Sequence, residues 1–238
     1  PHTTREPQDT LLTIPDPQSP LQLLLVDTAG IRRNARIKPG LEQLGVKKTM
    51  QTIERSDVVI FVVNANEPLE IQDKHLAGML VEKGVAVVVA VNKWDLLDRS
   101  DTKSGDELKE SIHRTLPGLD FAPVLFISAT NGHNVHKLLP LVLQANESRN
   151  RIIANEELTA LLPRLIKRHR PARERGDTRH PVLRRIEQTS TRPPTFIVWI
   201  GPKQSLHETY LRFIENQLRR YFDFTGTPLR VEVRQDKK

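Results

Sequence analysis

The first 148 residues alternate short apolar runs with amphipathic stretches. The apolar runs predict four strands, over Leu21–Val26, Val58–Val63, Ala86–Val91 and Val124–Ser128. Each run is almost continuously apolar, which is typical of strands buried on both faces of a parallel sheet. Patterns with a period near 3.6 predict helices over Leu44–Arg55, Ile71–Lys83, Gly105–Thr115 and Val135–Ser148. This alternation predicts an α/β fold whose parallel strands are joined by right-handed crossovers.

After Ser148 the pattern changes to that of a smaller α+β unit. It predicts, in order, a helix over Glu156–Arg168, a basic loop over Arg168–His180, strands over Val182–Ser190 and Thr195–Ile200, a helix over Ser205–Tyr221 and a strand over Leu229–Val233. The predicted division is therefore a first domain over residues 1–150 and a second over 151–238.

Composition fits a packed globular protein, since 37% of the 238 residues are apolar. Cysteine is absent, which excludes disulfides and thiolate metal sites and fits a reducing cytosol. No apolar run approaches the roughly 20 residues of a membrane-spanning helix. We therefore expect a cytoplasmic protein with no membrane partner.

The net charge of +7 is unevenly distributed along the chain. Residues 151–238 hold 19 of the 36 lysines and arginines but only 10 of the 29 acidic residues, a local net charge of +9. Such an excess is typical of surfaces that bind RNA or ribosomes, and a solvated basic face has the same composition. We expect a nucleic-acid or ribosomal partner for the C-terminal part.

The tetrapeptide Asp27-Thr28-Ala29-Gly30 follows the first predicted strand directly. Its aspartate can reach a Mg²⁺ ion through water, because Mg²⁺ gives up its waters reluctantly. Gly30 allows the backbone N–H to approach a terminal phosphate. Alone, the motif is equally typical of an ordinary turn at a strand end.

A second tetrapeptide, Asn92-Lys93-Trp94-Asp95, follows the third predicted strand. Guanine presents two adjacent donors, N1–H and the exocyclic amine, and the Asp95 carboxylate can accept both, whereas adenine has no such pair. We expect Asn92 to tie this loop to its neighbours and to the base. The Lys93 stem can cover one face of the ring, and Trp94 packs as a shield. The competing interpretation is a helix N-cap.

A third element, Ser128-Ala129-Thr130, follows the last predicted strand, 36 residues after Asn92. Its small residues suit a loop whose Ala129 N–H donates to the guanine O6. All three elements lie at carboxyl ends of predicted parallel strands, where α/β sheets bind ligands. Together they predict a site for GTP or GDP with Mg²⁺.

The same residues resemble the Der (EngA) family of bacterial ribosome-assembly GTPases, within the translation-factor-related GTPases. The resemblance runs nearly end to end. It is carried by the three motifs, by Ile31-Arg32-Arg33 after the first, and by Arg55–Val59, Val135–Leu139, Arg192–Phe196 and Phe224–Pro228. It implies a P-loop NTPase-type G domain, the second of a tandem pair, followed by an α+β KH-like domain. It also implies hydrolysis of GTP to GDP and phosphate during assembly of the large ribosomal subunit, with contacts to its rRNA and proteins.

Further roles follow from the resemblance alone. His2–Glu6 is similar to the family's switch I, with Thr4 as a Mg²⁺ ligand that senses the terminal phosphate. Ile31 stands where a Ras-like protein carries its water-orienting glutamine, which an isoleucine cannot replace. The family is thought to use K⁺ at the phosphates instead, so K⁺ is expected as a cofactor.

The phosphate-cradling motif G-x-x-x-x-G-K-[ST] is absent from the sequence. We expect a piece of a longer protein that lacks the first GTPase domain and the P-loop strand. The resemblance places that strand centrally, with the Leu21–Val26 and Val58–Val63 strands on one side and the Ala86–Val91 strand on the other. A G domain without it should bind GTP weakly and be only marginally folded in its first half.

The C-terminal unit shows no G-x-x-G nucleotide clamp, so docking through arginines is the expected mode of RNA contact. The candidates are Arg184, Arg185, Arg192, Arg219 and Arg220. Three alternatives stay open: a tRNA-modification GTPase of the same superfamily, an Era-like protein, and a nucleotide-independent ribosome- or RNA-binding module with a vestigial G domain. The KH-like tail disfavours the first, and the missing G-x-x-G disfavours the second.

Overall fold

A computed structural model describes residues 9–15, 20–26, 50–97, 105–173 and 180–236 of the chain. It contains two compact units, residues 1–56 and residues 57–238, which are described separately. Within the described residues no helix has the length and apolarity needed to cross a membrane.

The first unit contains an antiparallel hairpin. Strand β1 (Asp9–Ile14) pairs with β2 (Leu21–Val26) in register from Asp9 opposite Val26 to Ile14 opposite Leu21. Residues 50–55 of this unit are helical, in agreement with the end of the predicted Leu44–Arg55 helix.

The strand prediction for Leu21–Val26 is confirmed, but its placement in a parallel sheet is wrong. β2 belongs to a two-stranded sheet with β1, a strand that sequence analysis missed in the proline-rich start. Leu24 is 58% exposed, so β2 does not have two buried faces. A run of leucines predicts a strand equally well in either setting, because its partners are set by contacts distant in the sequence.

The first half of the second unit is a parallel sheet with crossover helices, as predicted. Its strands are β3 (Val58–Asn64), β4 (Ala86–Asn92) and β5 (Val124–Phe126), in the order β3-β4-β5. Its helices are α1 (Ile71–Lys83), α2 (Gly105–Thr115) and α3 (Leu138–Asn150), with short 3-10 turns at Trp94–Leu96 and Val135–Lys137. The central strand β4 is the core: residues 86–90 are completely buried.

The expected position of a further strand between the Val58 and Ala86 runs is wrong. β3 and β4 pair directly along their whole length, from Val58 opposite Ala86 to Asn64 opposite Asn92. Helix α1 is the crossover between them, so consecutive strands are spatial neighbours, which is the commonest arrangement.

The second half of this unit has helices on a mixed three-stranded sheet. Its elements are α4 (Asn155–Arg168), β6 (Leu183–Thr191), β7 (Pro194–Ile200), α5 (Glu208–Tyr221) and β8 (Arg230–Gln235). β7 is central, antiparallel to β6 and parallel to β8. The core includes Leu158, Leu165, Phe196, Ile214 and Leu218. The apolar face of α5 is largely buried in it, although Tyr221 at the end of the helix is 43% exposed.

A backbone junction joins the two halves of this unit. The Gly226 N–H donates to the Phe121 carbonyl at 3.1 Å, and the Gly226 carbonyl accepts from the Val87 N–H at 2.7 Å. The Thr227 hydroxyl donates to the Ala145 carbonyl at 3.1 Å. The loop after α5 is thus bonded to the start of β4, at the other end of that strand from Asn92.

Candidate nucleotide site and basic surface

The carboxyl edge of the parallel sheet brings two of the predicted motifs together. β4 ends in Asn92, and the loop after β5 carries Ser128, Ala129 and Thr130. The Asn92 Oδ1 accepts a hydrogen bond from the Ala129 N–H at 3.0 Å. Asn92 therefore ties the two loops together, as its position in the sequence predicts.

A second bond fixes the same loops, because the Trp94 N–H donates to the Ile127 carbonyl at 3.1 Å. The Trp94 ring packs against Phe126, with ring centres 4.4 Å apart. These rings line a cavity of about 180 Å³, which is too small for a nucleotide. Trp94 thus ties its loop to the end of β5.

Lys93 has a left-handed backbone conformation, with φ of 63°, which a non-glycine residue adopts rarely. Its ammonium lies 3.6 Å from the Glu67 carboxylate, on the loop after β3. Sequence analysis missed Glu67, and no signal in the sequence connects it with Lys93.

Asp95 lies in the 3-10 turn after β4, and its side chain is exposed. Its carboxylate has no hydrogen-bond or ion-pair partner within the described part of the chain. Among the described residues Asp95 caps no helix, because it lies inside the 3-10 turn, whose N-cap position is occupied by Lys93. The carboxylate is therefore available to a ligand at this edge.

The Ser128 loop is held by its own backbone. Ser128 is buried, its N–H donates to the His133 carbonyl at 3.1 Å, and its Oγ accepts from the Asn131 N–H at 3.4 Å. Asn134, which also has a left-handed φ, donates from its side chain to the Phe126 carbonyl at 3.0 Å. The Asn131-Gly132-His133-Asn134 sequence was a usable turn signal. Ala129 and Thr130 remain exposed.

The predicted phosphate and magnesium residues lie outside the described residues. They are Thr4, Asp27, Thr28, Ala29 and Gly30. The structure therefore brings together the base-recognition half of the predicted site.

The five predicted docking arginines are in different environments. Arg184 forms an ion pair with Asp236 at 3.0 Å, and Arg185 forms one with Glu187 at 3.0 Å. The Arg185 guanidinium also lies 4.4 Å from the centre of the Trp199 ring. These charges on the outer face of the sheet are neutralised locally. Exposed Arg192 bonds to the Asn150 side chain at 2.7 Å, and Arg220 is exposed.

The docking role predicted for Arg219 is wrong. Its guanidinium donates to the Phe224 and Thr227 carbonyls, at 3.3 and 2.8 Å, and pairs with Glu215 at 3.0 Å. It also lies 5.3 Å from the centre of the Phe121 ring. Burial lowers the pKa of Arg219, and Glu215 opposes that shift. Arg219 lies two residues before the end of α5, and nothing in the sequence indicated that the loop after this helix would fold back over it.

The junction also holds an acidic group. Asp223 accepts from the Gln144 side chain and from the Thr225 N–H, both at 3.0 Å. Partial burial raises the pKa of this carboxyl, but the hydrogen bonds from Thr225 and Gln144 outweigh it and leave the pKa below its usual value. Asp223 is thus ionised while it bridges the two halves.

Comparison with protein families gives two matches that follow each other along the chain. Residues 39–148 match the elongation factor Tu GTP binding domain. Residues 153–234 match the KH-domain-like region of EngA bacterial GTPase enzymes, described as C-terminal. The chain is thus similar to the Der, or EngA, GTPases. This confirms the resemblance predicted from the motifs, and with it the fold class, a G domain followed by a KH-like domain.

Relatives named GTPase Der match this chain over nearly its whole length. Those of Lactobacillus acidophilus and Lactobacillus delbrueckii subsp. bulgaricus are 37% and 38% identical, and that of Streptococcus pneumoniae strain Hungary19A-6 is 34% identical. Each alignment covers 99% of this chain and 52% of the relative. The chain therefore spans about half the length of these Der proteins.

Among solved structures, the GppNHp complex of the elongation factor SelB from Methanococcus maripaludis aligns with 64% of this chain and 31% of its own. The identity is 20% and the TM-score 0.44, an extent of similarity that supports no inference about this chain.

Proposed function

We propose that this chain is the part of a Der-type GTPase that binds guanine nucleotide with its second G domain, over residues 1–150, and docks on ribosomal precursors with a KH-like domain, over 151–238. In the whole protein it hydrolyses GTP to GDP and phosphate during assembly of the large ribosomal subunit, in the cytoplasm. The observation that supports the proposal is the Asn92–Ala129 bond, which ties the loop that carries Asp95 to the loop that carries Ala129.

Guanine recognition follows from the chemistry of these two loops. Asp95 offers two carboxylate oxygens to guanine N1–H and the exocyclic amine, and the Ala129 N–H is the donor for O6. In this structure that N–H donates to Asn92, so base binding shares or replaces an existing bond. A base without the two donors leaves the carboxylate unpaired, which disfavours adenine nucleotides.

The phosphate half of the proposed site rests on the family pattern. Asp27 and Thr4 would bind Mg²⁺, Gly30 would meet the terminal phosphate, and K⁺ would neutralise charge that develops during hydrolysis. These ions supply charge stabilisation, which is the main catalytic device of phosphoryl transfer. Because the sequence contains no G-x-x-x-x-G-K-[ST] loop, we expect the 238-residue chain alone to bind GTP weakly and to be inactive.

The test of base recognition is Asp95→Asn, made in a version extended upstream through the next G-x-x-x-x-G-K-[ST] loop. An asparagine amide donates one hydrogen bond and accepts one, which matches xanthine in place of guanine. We expect GDP affinity to fall by roughly 100-fold or more while xanthosine diphosphate affinity rises. Both are measured by calorimetric titration.

The matched control is Asp106→Asn, because Asp106 is an exposed carboxylate that pairs only with Lys109 at 3.4 Å in the described structure. It should leave GDP affinity unchanged. If Asp95→Asn binds GDP and xanthosine diphosphate like the parent protein, guanine recognition at this loop is excluded.

A second candidate function is favoured by the net charge of +9 in residues 151–238. On this alternative the chain is a nucleotide-independent RNA- or ribosome-binding module. It predicts ribosomal association that does not change with GDP, GTP or Asp95→Asn. Cosedimentation with large-subunit precursors in each nucleotide state separates the two.

A further inference from the structure

One group of exposed basic residues has no carboxylate partner among the described residues. Arg164, Lys167, Arg168 and Arg170 are exposed on and just after the last turns of α4, and Arg220 is exposed near the end of α5. None of the five forms an ion pair with a carboxylate in the part of the chain that the structure describes. We name these five residues the cationic strip.

Spacing places three of these charges on one helical face. Arg164 is three residues before Lys167 and four before Arg168, so their side chains are neighbours on the helix surface. The opposite face of α4 is anchored, because Leu158, Leu161, Leu162 and Leu165 are buried in the core. Three like charges are therefore held side by side on a fixed support, at an electrostatic cost that an anionic ligand would remove.

An exposed aromatic ring lies beside these charges. The Arg164 guanidinium lies 5.7 Å from the centre of the Tyr221 ring. Arg220 precedes that tyrosine in the chain. Exposed rings next to cations are the combination with which proteins bind single-stranded nucleic acid, by stacking a base and pairing its phosphates.

We propose that the cationic strip and Tyr221 form the surface on which the KH-like domain binds single-stranded RNA. The inference rests on the proposed function and assigns its RNA contact to the helices, away from the outer face of the sheet. On that face Arg184 and Arg185 already have carboxylate partners, and Arg234 lies 3.7 Å from Glu232. Binding RNA there would require breaking those pairs.

The test compares two triple variants of the full chain that remove the same charge. The strip variant is Arg164→Gln, Lys167→Gln and Arg168→Gln, and the control is Arg184→Gln, Arg185→Gln and Arg234→Gln. Affinity for a fluorescent single-stranded RNA of 20 nucleotides is measured by anisotropy at several KCl concentrations. Glutamine retains helix propensity and the substituted side chains are exposed, so melting temperatures should stay close to the parent value.

Each phosphate contact contributes about 0.7 to the slope of log affinity against log salt for a single strand. The magnitude of that slope should therefore be smaller by about 2 in the strip variant than in the parent chain. The strip variant should also bind roughly 50-fold more weakly at about 0.15 M KCl. Arg164→Lys with Arg168→Lys retains the charges and should retain the slope. The control triple variant should stay within about threefold of the parent chain, since paired surface charges contribute little.

Equal losses in both triple variants would mean that only net charge matters and would overturn the assignment. So would an unchanged slope in the strip variant. If polyglutamate displaces the RNA when both polymers are present at the same concentration of negative charges, the surface binds an acidic protein and the RNA assignment is overturned. Failure of the parent chain to bind any RNA would contradict the proposed docking function as well, whereas RNA binding retained by the strip variant contradicts this inference alone.

Discussion

At the residue scale, the loops that follow β4 and β5 are the part of the predicted site that the structure describes. Asn92 was predicted to tie its loop to the neighbouring loops, and in the structure its side chain accepts a hydrogen bond from the Ala129 N–H. Asp95, predicted to face a ligand, has no competing partner in the described structure. The tie made by Asn92 could be predicted because it depends on a side chain at a strand end, whereas the guanine contacts of Asp95 and of the Ala129 N–H stay predictions. The burial of Arg219 could not, because it depends on a loop that returns after α5.

Gly226 shows the same dependence on distant contacts. Its φ is +72°, and a Cβ atom there would lie 2.7 Å from the Ala145 Cβ and 3.2 Å from the Val87 carbonyl oxygen. Position 226 thus excludes side chains for both conformational and steric reasons. The glycine was visible in the Phe224–Pro228 motif, but its contacts were not.

We predict that Gly226→Ala lowers the free energy of unfolding by roughly 2–4 kcal/mol, the sum of a backbone cost and overpacking. Gly132→Ala is the control, because Gly132 has a φ of +78° and nothing within 4 Å of the added Cβ. It should cost only about 1 kcal/mol. Urea unfolding of both variants measures the difference, and equal costs would show that the junction tolerates the extra atom.

At the element scale, continuous apolar runs predicted β3, β4 and β5 well, although the expected burial on both faces holds only for β4, since Val62 in β3 is 55% exposed and β5 is half-buried. Amphipathic periodicity likewise located α1, α2, α4 and α5. The order of strands in space was not predictable in the same way. The β3–β4 pairing and the β1–β2 hairpin depend on contacts distant in the sequence, and β1 lies between Pro7 and Pro15 in a proline-rich segment that favours a loop.

The end of α4 is fixed by a buried tyrosine. The Tyr210 hydroxyl donates to the His169 carbonyl at 2.8 Å, and the two rings stack with centres 5.8 Å apart. Burial raises the pKa of Tyr210 to about 12. A raised pKa in the folded state means that the stability contribution is complete below the unfolded value of about 10 and is lost as pH rises through about 12.

We predict that Tyr210→Phe destabilises the chain by about 1 kcal/mol at neutral pH, through loss of this hydrogen bond. It should also flatten the decline in stability between pH 10 and about 12. The control is Tyr221→Phe, at an exposed position. Chemical unfolding at several pH values tests this, and an identical alkaline decline in parent and Tyr210→Phe proteins would refute the role of Tyr210.

At the scale of the whole molecule, local stability should differ strongly between the two units. In β4, residues 86–90 are completely buried, and the strand is bonded to β3, β5 and the Gly226 loop. The hairpin instead exposes Leu11, Leu24 and Leu25. A two-stranded hairpin with uncovered apolar residues is marginally stable in water.

We therefore predict that hydrogen-bonded amides of the β1–β2 hairpin exchange with solvent at least on the order of 100-fold faster than those of β4. The amides of Val87 and Gly226 should exchange only by global unfolding of the second unit, because the junction lies in its interior. Exchange measured residue by residue by NMR tests both statements. Hairpin protection equal to that of β4 would contradict the view that the first half is marginally folded.

The central claim, that this chain is the base-recognition half of a guanine-nucleotide switch, is tested most directly by one titration. A fluorescent guanine nucleotide is titrated, in Mg²⁺ and K⁺, against the 238-residue chain and against the version extended upstream through a phosphate-binding loop. We predict tight binding by the extended version and weak binding by the chain alone. If neither version binds, the G domain is a scaffold, the basic C-terminal unit carries the function, and the account is contradicted.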